Sequence, residues 1–186
     1  MQLNGIFTIA EIGGEAGRRI REINEQYDPR LARYKAPHVT ITGSSGVGPI
    51  PASISKGEIL EKLEPIAATT RPMRLRLGPP IRFMQSGIVV LPLDPHGPLR
   101  ILHDRIATSG LPFQPARFTF SPHCTLSLYP TLTRETERAL MAVRINEEVL
   151  IDRITVYQTL DPQPSKKLLD LLLTGQANEQ IEVPGV

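Results

Sequence analysis

The chain has 186 residues, 40% of them hydrophobic and 22% charged, the make-up of an ordinary folded protein of one sizeable domain or two small lobes. Its 21 Lys and Arg against 19 Asp and Glu leave a net charge of +2, too small for a protein whose main task is coating duplex nucleic acid. A single cysteine, Cys124, excludes an internal disulfide and a multi-cysteine zinc site. No run approaches the roughly 20 apolar residues that span a bilayer, and the opening MQLNGIFTIAEIGGE lacks the cationic start and apolar stretch of a secretion signal. The sequence therefore reads as soluble and cytoplasmic.

In chain order, GIFTIAEI predicts a buried strand, and EAGRRIREINEQY predicts an amphipathic helix with Ala16, Ile20, Ile23 and Tyr27 on one stripe. KAPHVTITG predicts a strand opened by a proline that owes the ladder no N–H. The glycine-rich GSSGVGPIP lacks the lysine of a phosphate-binding loop and reads as a flexible connection bordering a cleft. SKGEILEKLEPIA predicts a helix stopped or bent at Pro65, and RPMRLRLGPPIRF predicts extended chain with Met73, Leu75 and Leu77 alternating. The order then restarts. GIVVLPL predicts a strand, GPLRILHDRIATSGL a helix burying Leu99, Leu102, His103 and Ile106, FSPHCTLSLYP a strand, TRETERALMAVRI a threonine-capped helix, and VLIDRITVYQTL a strand. LLDLLLTG is read as a closing strand in preference to a short helix.

Each half thus runs strand, helix, strand, helix, strand. The expected architecture is α+β, with two lobes related by a pseudo-twofold axis, each an antiparallel or mixed sheet backed by helices, and a cleft between them. The expected division places lobe one at about 1–84, lobe two at about 85–175 and a tail at 176–186, all in one bilobal domain.

The tetrapeptide PHVT at 37–40 recurs as PHCT at 122–125, each in the second strand of its half. Strand alternation predicts His38, Thr40 and Thr42 on one face and Val39 and Ile41 on the other. In the second copy it puts His123, Thr125, Ser127 and Tyr129 together, opposite Cys124, Leu126 and Leu128. A lone strand histidine is more often structural than catalytic. Repetition with proline before it and a hydroxyl two residues after it favours function. With an ordinary pKa near 6.5, one imidazole can serve as base and a second as acid around neutral pH, and in-line attack at phosphorus needs both on opposite sides. Threonine hydroxyls beside them can donate to the non-bridging oxygens.

Two H-x-T motifs in proline-led strands, one per half, each followed by a helix, resemble the two-histidine (2H) phosphoesterase superfamily. This superfamily includes the RNA 2′,3′-cyclic phosphodiesterases and 2′-5′ RNA ligases. The resemblance extends to about residue 174. It implies that His38, Thr40, His123 and Thr125 are catalytic, that no metal or other cofactor is needed, and that the substrate is an RNA end or nucleotide bearing a cyclic phosphate or 2′-5′ linkage, with ligation as the reverse reaction. The ligase-type arginine shortly after the second motif is replaced by LSLYP, leaving Lys35, Arg82 and Arg117 as cations from elsewhere. Substrate-binding candidates are Phe7 as a base-stacking aromatic, Arg82, Ser127 and Tyr129, whereas Phe83, Phe118 and Phe120 read as core. No membrane or obligate protein partner is evident. The rival reading is a noncatalytic RNA- or nucleotide-binding module, and a metal-dependent phosphatase is disfavoured because few carboxylates accompany the histidines.

Overall fold

A computed structural model describes residues 5–83, 86–128, 132–159 and 165–176. The first half contributes strand β1 (Gly5–Glu11), helices α1 (Gly14–Tyr27) and α2 (Pro29–Tyr34), β2 (His38–Thr42), α3 (Lys56–Thr69), β3 (Met73–Leu75) and β4 (Ile81–Arg82). The second contributes β5 (Val89–Pro92), α4 (Pro98–Ala107), β6 (His123–Ser127), α5 (Arg134–Met141), β7 (Val149–Ile151), β8 (Arg153–Thr159) and β9 (Ser165–Leu172). The sequence of elements is α+β and repeats as expected.

The lobes do not keep separate sheets. Seven strands form one sheet in the order β4-β5-β6-β2-β1-β8-β9, and β3 pairs with β7 in a second; every pairing is antiparallel. The two motif strands β2 and β6 meet at the centre, with Val39 opposite Cys124. The outer strands change sides. First-half β4 extends β5, while second-half β8 and β9 extend β1, so the halves of the sheet do not coincide with a division of the chain near residue 84.

The helices cover one face of the large sheet. Ala16 and Ile20 of α1, Ile59, Leu63 and Ala67 of α3, and Leu99, Leu102 and Ile106 of α4 form a core with Ile6, Ala10, Val39, Ile41, Val89, Leu91, Cys124, Leu126, Ile154 and Val156 from the strands. At about 25 cal/mol per Å² of apolar surface, each of the buried Ile, Leu and Val side chains contributes about 1.5–3 kcal/mol. The helices also cross between halves: α1 packs on β6 and α4 on β2.

Several boundaries differ from expectation for local reasons. α3 runs through Pro65 to Thr69 because that proline is exposed, so the carbonyl it leaves unbonded one turn earlier faces water. α2 has too few residues to show a period; it begins at a Pro following Asp28, whose Oδ1 accepts from the Leu31 N–H at 3.0 Å. The 149–160 strand is broken at Asp152 into β7 and β8, which join different sheets. The closing segment is a strand, as read, and starts earlier, at Ser165.

Candidate active site on the open face of the central strands

The antiparallel register of Val39 against Cys124 sets His38 opposite Thr125 and Thr40 opposite His123. All four side chains stand on the face away from the helices. They form a square with histidines on one diagonal and threonines on the other, and such diagonal neighbours lie about 7–8 Å apart. A phosphate between the imidazoles would be flanked from opposite sides.

The two histidines are oriented alike. His38 Nδ1 lies 2.8 Å from the Ala36 carbonyl oxygen, and His123 Nδ1 lies 2.7 Å from that of Ser121. A carbonyl can only accept, so each Nδ1 carries its proton and each Nε2 is the nitrogen left for chemistry. Burial pushes the pKa of His38 down to about 4, with the Lys35 ammonium as the next cause, opposed by the Ala36 hydrogen bond, and His123 adding to the fall. Burial also lowers the pKa of His123, where the Ser121 bond opposes it. Cys124, between the motif residues, faces the core, and burial pushes its thiol up to about 12, so it offers no thiolate.

The alternation expected from the sequence holds through Thr40 and Thr125 and then fails in the same way in both strands. Thr8 pairs with Thr42 but Ile9 with Thr40, leaving Ile41 as an extra residue; Val89 pairs with Ser127 but Val90 with Thr125, leaving Leu126 extra. These are matched β-bulges. They turn Thr42 into the buried side, where its hydroxyl lies 2.6 Å from that of Thr8, and bury Ser127 at 2% exposure on the helix side. Ser127 therefore does not share the face of His123.

Each bulge is tied by a buried polar side chain from the other half. His103 of α4 donates from Nδ1 to the Ile41 carbonyl at 2.6 Å, and Asn24 of α1 donates from Nδ2 to the Leu126 carbonyl at 2.8 Å and the Thr125 carbonyl at 3.2 Å. His103, read as a helix-face residue, is fully packed, with its ring stacked on Phe120 at 4.1 Å. Gly46 touches that ring: with φ +74 and a Cβ that would sit 2.2 Å from Nε2, only glycine fits. The GSSGVG segment is accordingly anchored, not loose, with Gly46 and Gly48 donating to Phe118 and Gln114 carbonyls at 2.8 and 2.7 Å.

The remaining candidates separate. Phe7 stands on the histidine face of β1, opposite Tyr157, half-buried and packed on Gly43. Arg82 lies opposite Val89 of the helix-side core and pairs with Glu137 of α5 at 3.1 Å, so it points away from the histidines. Tyr129 lies outside the described residues. Phe83, read as core, instead lies beside His123 with ring centroids 4.7 Å apart.

Two residues the sequence did not single out, Glu11 and Tyr157, join the candidate cation Lys35 on the first-half flank. Glu11 is opposite His38 on β1 and accepts from the Tyr157 hydroxyl at 2.9 Å; the Lys35 Nζ sits 4.5 Å above the Tyr157 ring. Asp28, buried at 2%, links the α1–α2 junction to the end of β6 by accepting from the Leu128 N–H at 2.7 Å. Glu11 and Tyr157 are far apart in sequence, and only the β1–β8 pairing brings them together.

A profile of the 2′-5′ RNA ligase superfamily matches residues 13–163, most of the chain and both histidine strands. The chain belongs to the 2′-5′ RNA ligase superfamily. Within this superfamily's fold, the LigT protein of Escherichia coli, solved with 3′-AMP, is similar over 93% of this chain and 99% of its own at a TM-score of 0.59 and 16% identity. The TT0787 protein of Thermus thermophilus is similar over 95% and 100% at a TM-score of 0.58 and 15% identity. LigT has also been solved with NADP+, at a TM-score of 0.56, 18% identity and coverage of 94% and 99%. No curated protein matches the sequence. At these identities the likeness establishes the superfamily fold, of the two-lobed 2H phosphoesterase kind. No helix among the described residues is long and apolar enough to cross a membrane.

Proposed function

We propose that the chain is a 2H-type phosphoesterase that opens a 2′,3′-cyclic phosphate, or cleaves a 2′-5′ phosphodiester, on an RNA end or nucleotide, by paired histidine acid–base catalysis without a metal. The observation that carries this reading is the central register, which sets two Nδ1-anchored imidazoles on one diagonal and two hydroxyls on the other. The nucleotides bound by LigT in its solved structures support the substrate class.

Burial and Lys35 together favour neutral His38, so His38 is assigned as base and His123 as acid. His38 Nε2 takes a proton from the attacking water as its oxygen bonds to phosphorus. The bond from phosphorus to the 3′-oxygen breaks on the far side, and His123 Nε2–H gives its proton to that oxygen, leaving a 2′-phosphate and a 3′-hydroxyl. Thr40 and Thr125 donate to the non-bridging oxygens as charge shifts onto them. Exchange with solvent resets the two imidazoles.

The test offers 2′,3′-cyclic nucleotides and 2′-5′ dinucleotides in EDTA to wild type, His38→Ala and His123→Ala. Wild type turns over, and each replacement lowers kcat by about 10²–10⁴-fold. Turnover that survives both replacements, or that EDTA abolishes, overturns the mechanism; tight binding of substrate with no product supports the noncatalytic rival.

A further inference from the structure

Charged groups on the histidine face beyond β1 mostly satisfy one another. Arg153 pairs with Asp152 and Asp170, Lys167 with Asp170, and Glu11 accepts from Tyr157. Lys35 is different. It is half-buried, yet among the described residues its ammonium makes no ion pair or hydrogen bond; its contact is the face of Tyr157 at 4.5 Å. It also lines, with Asn24, Ala36, His38 and Thr125, one small cavity. On the opposite flank Phe83 lies against His123, and Ile81, opposite Val90, is exposed.

A cation half withdrawn from water whose direct contact is a ring, with the Glu11 carboxylate acting on its charge only through space, is an incomplete pairing, since desolvating a charge costs more than cation–π contact returns. A ring also fixes where the ammonium sits without neutralising it. We propose that Lys35, held on Tyr157, is the cation that binds the substrate's anionic phosphate beside His38. The proposal rests on the phosphoesterase reading and adds to it the residue that supplies positive charge to the non-bridging oxygens, next to the Thr125 hydroxyl. It places Lys35 on the attacking side and leaves the Phe83 ring beside His123 on the side of the departing group.

The experiment uses the full chain with inorganic phosphate and 2′-AMP as probes, following the imidazole nitrogen signals of His38 and His123 by NMR in wild type, Lys35→Met, Lys35→Gln and Lys35→Arg. Phosphate moves both imidazole signals in wild type. Removing the charge weakens binding about tenfold or more, as expected for a charge-assisted contact, and Lys35→Arg keeps most of it. The same spectra read the His38 titration, on which Lys35 and His123 act; its midpoint moves to higher pH when the Lys35 charge is lost, which checks that this charge stands beside the imidazole, while the phosphate affinity reads its binding role. Unchanged melting temperatures in the Met and Gln variants separate the effect from misfolding. Equal phosphate affinity in wild type and both uncharged variants overturns the role of Lys35 alone, whereas phosphate that leaves both wild-type imidazoles unmoved overturns the phosphate-site reading together with it.

Discussion

Because the Ala36 and Ser121 carbonyls occupy the Nδ1 protons of His38 and His123, the proposed mechanism needs one further proton, on one Nε2 only. His38, with its pKa depressed to about 4, is neutral above that value, and His123 is protonated only below its own depressed pKa, which lies under the ordinary 6.5. The profile of kcat/KM against pH is therefore a bell centred on the acid side of neutrality, and a free-enzyme optimum above pH 7 would contradict the assignment of base and acid. The same shifts enter stability with a definite sign. A histidine with a lowered folded pKa binds its proton more readily in the unfolded chain, so its contribution is complete above about 6.5 and is lost as pH falls toward about 4. Melting temperature should drop across that window, and His38→Asn should flatten the drop; an unchanged slope would show that His38 is not the group responsible. The meeting of these four side chains was readable in the sequence, since the PHVT and PHCT repeat names both histidines and both threonines. Tyr157, Glu11 and Lys35 were not readable as a group, because they come from β8, β1 and the approach to β2, and only the pairing of Phe7 with Tyr157 and Glu11 with His38 brings them to one flank.

At the scale of single elements, the motif strands are instructive where they break their own period. Counting alternate residues puts Thr42 and Ser127 beside the histidines, and the matched bulges at Ile41 and Leu126 put both into the buried side instead. No residue in HVTIT or HCTLS announces a bulge, so the sequence alone leads to the wrong face at the second hydroxyl. A bulge disrupts the ladder, and the carbonyls it frees must find donors because they are buried. His103 and Asn24 supply them from helices of the opposite halves, which also explains how a histidine and an asparagine can be nearly inaccessible without a functional role in the cleft. Replacing Asn24 by Ala leaves the Thr125 and Leu126 carbonyls without that donor, at a cost of about 1–3 kcal/mol. Its lesion should be visible both as a lower denaturation midpoint and, in protein that remains folded, as a fall in kcat greater than any rise in KM, since Thr125 would lose its fixed position. A stability equal to wild type would show that the tie is dispensable.

Across the whole molecule, the duplicated order of elements suggests two lobes that could exist apart, while the pairing of strands says otherwise. β4 leaves the first half to extend β5, β8 and β9 leave the second half to extend β1, β3 joins β7, and α1 and α4 each pack beneath the other half's motif strand. Neither half can complete its own sheet, because the strand that would cover β1 or β5 lies in the other. The candidate site inherits this arrangement: its two histidines belong to different halves, yet their strands are direct neighbours in one sheet, so no hinge separates the two imidazoles. The exchange therefore predicts cooperative unfolding in a single transition, with the calorimetric enthalpy equal to the van't Hoff value and far-UV circular dichroism coincident with the imidazole NMR signals of His38 and His123. Two resolved transitions, or a state that keeps the environment of one histidine while losing that of the other, would mean that the halves are independent folding units. The histidine diagonal would then depend on docking between lobes, and the proposed activity would be lost before the second transition; with one unit, that activity and the fold disappear together.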